Sequence, residues 1–178
     1  VRKIPEVIRG YTLLELCCCM AIMSTCFAAG AVYWGRSQRS TAARAGAMEL
    51  ASALRSARAE AVTARLYCAV KLYDGTVPGA GQGFHGYAIY SSPDKKGSDV
   101  LQWLEGPRAM PQHVRFSSGG NQTFVFGPQG NIVSRGINHK TVRVAAGQAD
   151  DEVWHDITVL TATGRVKMKE RKSSLNRG

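Results

Sequence analysis

The chain has 178 residues, enough for one domain plus an anchor. Its +10 net charge is uneven. Residues 1–35 carry +1, residues 36–66 carry +4, residues 67–163 are neutral and residues 164–178 carry +5. The middle is therefore neutral and the excess sits on the stalk and the tail, where such charge usually means a solvated face and less often a contact with nucleic acid or anionic lipid. Four of the five cysteines (Cys17, Cys18, Cys19, Cys26) fall in one apolar run, where thiols act as small hydrophobes. Only Cys68 remains beyond it, so no intrachain disulfide is expected in the rest of the chain.

The first expected element is a long helix. After the basic segment Arg2, Lys3, Arg9 comes "GYTLLEL" (Gly10–Leu16), then "LCCCMAIMSTCFAAGAVYW" (Leu16–Trp34), with no charged side chain from Leu16 to Gly35. At ~1.5 Å per residue this run is roughly long enough to cross a bilayer core of about 30 Å. Ala21, Ser24, Ala28, Ala29, Gly30 and Ala31 would let another helix approach closely, and Tyr33 and Trp34 suit a membrane interface. Glu15 at its mouth needs a reason, because a carboxylate in hydrocarbon is costly unless partnered. One reason is a capping box, Thr12-Leu13-Leu14-Glu15. A cleaved secretory signal ending near Ala29-Gly30-Ala31 fits less well, since Glu15 borders the apolar region and the run continues past the cut. A lipoprotein box at Met23–Cys26 is opposed by the bulk of Thr25.

Gly10, an aromatic Tyr11, then Thr12-Leu13-Leu14-Glu15-Leu16 ahead of an apolar helix resembles the class III signal of type IV prepilins and type II secretion pseudopilins. The resemblance implies that residues 1–10 are a leader, that a prepilin peptidase cuts after Gly10, and that Tyr11 is then N-methylated. It implies that Glu15 pairs with a neighbouring subunit's N-terminal ammonium, so the cost of the buried charge acts as a register device. Tyr11 stands where Phe is usual, and Val32 where many type IV pilins carry a kinking Pro.

Residues 11–35 would then be the membrane and assembly helix, and residues 36–66 its amphipathic continuation. Ala47, Leu50, Ala51, Leu54, Ala57, Ala61 and Val62 recur at helical spacing, while Glu49, Arg55 and Glu60 lie off that face. No proline interrupts Tyr11–Leu66, leaving Gly35 and Gly46 as weak points. Arg55, Arg58 and Arg65 read as cations of this stalk.

Beyond Leu66 short β-branched or aromatic segments alternate with Gly and Pro, predicting strands at 66–73, 84–91, 100–105, 113–117, 123–127, 140–146, 156–162 and 165–170. Helix first and antiparallel strands after it make an α+β fold, with a β-rich domain over 67–170 and a basic tail over 171–178. "AMELASALRSARAEAVTARLYCAVKL" (47–72), "FVFGPQGNIV" (124–133) and "ITVLTATGRVKM" (157–168) resemble the helix-to-strand segment, Phe-x-x-x-Gly turn and terminal hairpin of the GspH/FimT group of minor pseudopilins and minor pilins. The resemblance implies a pilin-like fold, a single pass through the bacterial inner membrane with the C-terminal domain periplasmic, and incorporation into a filament. The implied partners are other pseudopilins or pilins, the prepilin peptidase, the inner-membrane assembly platform and membrane lipid.

The inventory speaks against an enzyme. His85, His113, His139 and His155 show no ligand spacing and read as surface or satisfied strand histidines. No Ser or Cys sits in a nucleophile elbow, and "GTVPGAGQGFHG" (75–86) lacks the Lys-Ser/Thr and helix of a P-loop, leaving a hairpin loop. "PDKKGSD" (93–99) is a poor calcium loop. No cofactor is implied.

One constellation is left. On a strand, Arg165, Lys167 and Lys169 would project from one face, a row suited to a phosphate backbone. It resembles the Gly-Arg-x-Arg motif by which FimT-type minor pilins engage DNA in natural transformation, with Lys167 in place of the second Arg and without its planar fork. The plainer reading is a solvated edge strand whose lysines discourage edge pairing. Function divides accordingly: a structural minor pseudopilin of the type II secretion system, or a minor type IV pilin that captures DNA.

Overall fold

The computed structural model describes residues 13–79, 81–97, 99–111, 113–133, 138–146 and 153–172. The described residues fall into two compact units, divided between Ser37 and Gln38.

The helix α1 spans Leu13–Ala64 as one element. Its alanine content and the absence of proline favour this, and neither Gly35 nor Gly46 interrupts it. Gly46 has a packing reason: a Cβ there would lie 3.0 Å from the Val114 Cγ1, so the glycine lets the helix sit close to a strand. The helix stops where Arg65 takes a left-handed conformation (φ 55°) and turns the chain into β1.

Ten strands follow: β1 Tyr67–Tyr73, β2 Thr76–Val77, β3 Gly81–Gln82, β4 Gly86–Ser92, β5 Gln102–Ala109, β6 Val114–Ser118, β7 Thr123–Phe126, β8 His139–Ala146, β9 Val153–Leu160 and β10 Val166–Lys172. They form a first sheet ordered β5-β4-β1-β7, a second ordered β10-β9-β8-β6, and a small β2-β3 ladder. All pairings between the named strands are antiparallel. The α+β, pilin-like reading therefore holds.

One core joins the three layers within residues 38–178. The helix supplies mainly small residues, Ala43, Ala47, Ala53, Ala57 and Ala61, plus Leu50 and Leu54, all buried. The strands supply the bulk: Tyr87, Phe116, Phe124, Phe126, Val142, Val144 and Ile157. Small faces large, as close packing requires. Val62, expected on the buried face, is 47 % exposed, but its Cγ2 lies 3.1 Å from where a Gly130 Cβ would be, so it caps a turn instead. β4 is buried along its whole length, because its outer face is covered too. There Tyr90 packs with Ala69 and Val125, its hydroxyl donates to the Gly97 carbonyl (2.6 Å), and Gly97 lies against Val125 and Ala69, where a side chain would not fit.

Several expected boundaries move, among them that of β10, which runs Val166–Lys172 and so extends into the segment expected as a tail. β5 continues through Gly106-Pro107 to Ala109, with register shifts against β4, because an edge strand tolerates a proline that a central strand does not. β9 begins at Val153 and ends at Leu160, so Trp154 and His155 join the ladder opposite Ala145 and Val144, and Thr161 falls in the turn. The 75–86 loop contains the two-residue ladder β2-β3.

Candidate assembly helix and basic edge

Gly10 and Tyr11, the expected processing residues, lie outside the described residues. Glu15 is described: it stands in the first turn of α1 and is exposed, as are Leu13 (82 %), Leu14 (75 %) and Leu16 (61 %) beside it. The exposed apolar series continues through Met20, Ile22, Met23 and Phe27 to Tyr33 and Trp34. By length and composition α1 can cross a membrane. Ser24 and Thr25, two hydroxyl side chains inside this run, are satisfied within the helix. Ser24 Oγ donates to the Met20 carbonyl (2.8 Å) and Thr25 Oγ1 to the Ile22 carbonyl (2.8 Å), removing the main cost of hydroxyls in hydrocarbon. A Cβ on Gly30 would meet nothing within 4 Å, and Gly30 helps line a shallow groove of ≈ 550 Å³ with Ile22, Met23, Cys26, Phe27 and Trp34. Such a surface can accept another helix at close range.

At the other end of the chain, Leu160 and Arg165 close the β9–β10 hairpin: Leu160 N–H donates to the Arg165 carbonyl (3.0 Å) and Gly164 N–H to the Leu160 carbonyl (2.7 Å). Arg165 sits just before β10, while Lys167 and Lys169 lie within it, in register with Thr158 and Asp156 of β9. All three cations are exposed. Val166, between two of them, packs on the core, so Lys167 and Lys169 share the opposite, outer face. That face also carries the ion pair of Arg143 Nε with Asp156 Oδ1 (2.8 Å), and the Arg143 guanidinium lies over the Trp154 ring at 5.2 Å. The outer face is therefore basic but not uniformly so, since Asp156 stands in register with Lys169.

Sequence reasoning missed Arg58. Read as a stalk cation, it is instead half-buried, with Nε donating to the Gly130 carbonyl oxygen (3.1 Å). Gly164 closes the same spot: with φ +62°, a Cβ there would overlap the Gly130 carbonyl and lie 3.0 Å from the Arg58 Cδ and Nε. One arginine thus ties the "FGPQGN" turn to the hairpin carrying the basic edge. The only hint in the sequence was the pair of turn glycines, and nothing local connects them to a helix position 72 residues away from Gly130.

Two histidines also depart from expectation. His155 is 2 % exposed, and its Nδ1 has no hydrogen-bond partner among the described residues. Burial pulls its pKa down; Glu170 works the other way and Arg44 reinforces the fall. His85 joins the two sheets. Its Nδ1 lies 3.0 Å from the Asp74 carboxylate, at the end of β1, and 3.3 Å from the backbone nitrogen of Phe116 in β6. Its pKa too is lowered, burial outweighing the raising effect of Asp74 and Arg115 adding to the fall. The neutral ring that accepts the Phe116 N–H is the favoured form. Cys68 is fully buried, its thiol pushed up to about 11 by burial and then by Glu60, so it is an inert core residue. No three His, Cys, Asp or Glu side chains gather to hold a metal among the described residues.

Comparison with known proteins follows the same lines. The family model described as "Type II transport protein GspH" matches residues 46–163. The crystal structure of the type IV minor pilin FimU from Pseudomonas aeruginosa (strain PAO1) superposes with a TM-score of 0.51 at 18 % identity, covering 74 % of this chain and 97 % of that one. A second crystal form of FimU gives a TM-score of 0.48 at 19 % identity, covering 74 % of this chain and 92 % of that one. No curated protein sequence matches. The FimU likeness concerns the fold. The family match covers well over half of the chain, from the middle of α1 through the β9–β10 hairpin turn, and the chain belongs to the GspH family of pilin-like structural proteins.

Proposed function

We propose that the protein is a minor pseudopilin of the type II secretion system, a structural subunit of a periplasmic filament. A prepilin peptidase removes residues 1–10 and Tyr11 is methylated. The apolar part of α1 holds the subunit in the inner membrane until the assembly platform extracts it, with the C-terminal domain in the periplasm. Glu15 pairs with a neighbour's terminal ammonium, which relieves the cost of a carboxylate in hydrocarbon only when docking is in register.

The observation that carries this reading is the joining, in one chain, of a GspH domain to a charge-free exposed helical run that opens on Glu15. Intact-mass analysis of membrane-extracted protein tests it. The expected chain begins at Tyr11, carries one added methyl group and retains the whole apolar run, whereas a chain beginning near Val32 would establish a cleaved signal peptide. Glu15→Ala is expected to be processed and folded but excluded from filaments; wild-type incorporation of that variant would remove the register role.

A second reading, a minor type IV pilin that binds DNA, is favoured by the exposure of Lys167 and Lys169 on one face of an edge strand.

A further inference from the structure

Each sheet ends in an unlike edge. β5 closes the first sheet, and no strand pairs with its outer edge among the described residues. It is also unusually apolar for an edge: Leu101 is 60 % exposed, Trp103 46 % and Leu104 41 %. Trp103 already packs edge-on against Tyr90 (5.4 Å), which meets part of the ordering cost of burying it under a partner. Between β5 and α1 lies a cleft of ≈ 270 Å³ with Ile89 and Leu104 as its apolar part and Glu60 and Glu105 as its acidic part. Glu49 stands nearby, 3.2 Å from Arg108, which also bridges to Glu105 (3.0 Å). Two carboxylates, Glu49 and Glu105, thus face one guanidinium along this rim, and Glu60 adds a third negative charge on the cleft.

β10 closes the second sheet in the opposite sense. No strand pairs with its outer edge among the described residues, and the strand carries Lys167 and Lys169 with Met168, 36 % exposed, between them. Two copies of β10 laid together would set lysine against lysine, and two copies of β5 would bring two acidic rims together; both arrangements are disfavoured. β10 laid against β5 satisfies each. In that arrangement the lysine ammoniums would face the Glu60 and Glu105 carboxylates, the lysine stems would lie over the exposed Leu104, and the backbone groups of the two outer edges would pair. Pro107 has no N–H to offer, so the pairing segment on β5 ends before it, at residues 102–105.

We propose that the α1–β5 edge of one subunit receives the β10 edge of a second copy of this chain. The contact joins two different patches, so it is head-to-tail and leaves each subunit with one edge of each kind for a further neighbour. It rests on the reading of the chain as a filament subunit, and gives that reading a specific contact between globular domains.

The test uses the full chain in membranes, expressed without other pilins. A photo-crosslinking amino acid replaces Leu104 in one tagged copy, and a second copy carries a different tag. Cross-linked dimers are expected, with the modified peptide mapping to residues 166–172 of the second copy. Lys167→Glu with Lys169→Glu in that copy should lower the yield about tenfold, the scale of two exposed ion pairs turned to repulsion. Glu60→Lys with Glu105→Lys in the first copy should restore it. Glu60→Lys alone, at an exposed helix position, should restore part of it without disturbing the Glu105–Arg108 pair.

Absent dimers, cross-links mapping elsewhere, or a yield indifferent to charge reversal would each overturn the proposal. So would loss of the cross-link on nuclease treatment, because the lysines would then be meeting nucleic acid. If wild-type chain is processed and incorporated into filaments while the cross-link is missing, only this contact fails; if incorporation itself fails, the filament reading fails with it.

Discussion

The most constrained contact among the described residues is the meeting of Arg58, Gly130 and Gly164. A guanidinium N–H bonded to a carbonyl is stronger than a neutral pair, so Arg58→Ala is expected to destabilise the domain by about 1.5–3 kcal/mol. Gly164→Ala should cost more, on the order of 3–4 kcal/mol, because it adds a left-handed Cβ and drives it into the Gly130 carbonyl. Chemical denaturation of the two variants checks both magnitudes, and a Gly164→Ala protein as stable as wild type would show that the hairpin can move off the turn. Arg58 therefore cannot stand as a neutral control for surface charge. Arg55 and Arg65, both exposed, can.

At the scale of elements, β10 decides between the two functions. If Arg165, Lys167 and Lys169 each neutralise a phosphate, duplex binding should fall with salt at a log–log slope of about −0.9 per contact. Replacing all three by Ala should flatten that slope by roughly two to three units, without sequence preference. The Arg143–Asp156 pair puts a carboxylate in register with Lys169, which lowers the expected benefit of that lysine to DNA. Binding measured on the full chain in detergent checks this. A slope unchanged by the triple variant, or carried by Arg55 and Arg65, would assign the attraction to generic charge. The edge strand of the other sheet tells a plainer story: β5 is edge-like in every respect, with a proline, register shifts and exposure on both faces.

Across the whole molecule, the two sheets are held by a shared core and by His85, and acid should loosen them. Folding lowers the pKa of His85 and of His155 from the ordinary value of 6.5, burial being the first cause in each. The unfolded chain then takes up protons before the folded one does. Stability is expected to be level above about pH 6.5 and to decline as pH falls through that value towards the depressed folded pKa values, levelling only below them. Protonation of His85 Nδ1 also replaces acceptance of the Phe116 N–H by donation to Asp74, loosening β6 from the first sheet. Unfolding midpoints from pH 5 to 8 for wild type, His85→Gln and His155→Leu check this. Each variant should show a shallower acid decline, and identical slopes in all three would reject both histidines as the cause.

What local pattern could settle, the sequence by itself determined. The long helix follows from uninterrupted helical periodicity without proline, the membrane-length run from the absence of charge between Leu16 and Gly35, and most strands from short apolar segments between Gly and Pro. These depend on neighbours a few residues apart. Tertiary structure alone decided which of those segments lie at edges, which histidine is buried, and which stalk arginine is structural. His155 has no local mark separating it from His139, yet its strand position sets it in register with the buried core residue Val144 while His139 stays exposed. Arg58 and Arg55 have the same chemistry three positions apart on one helix. Only the fold brings the Gly130 carbonyl to one of them, because contacts between distant segments depend on how sheets and helix are stacked, and no local periodicity encodes that.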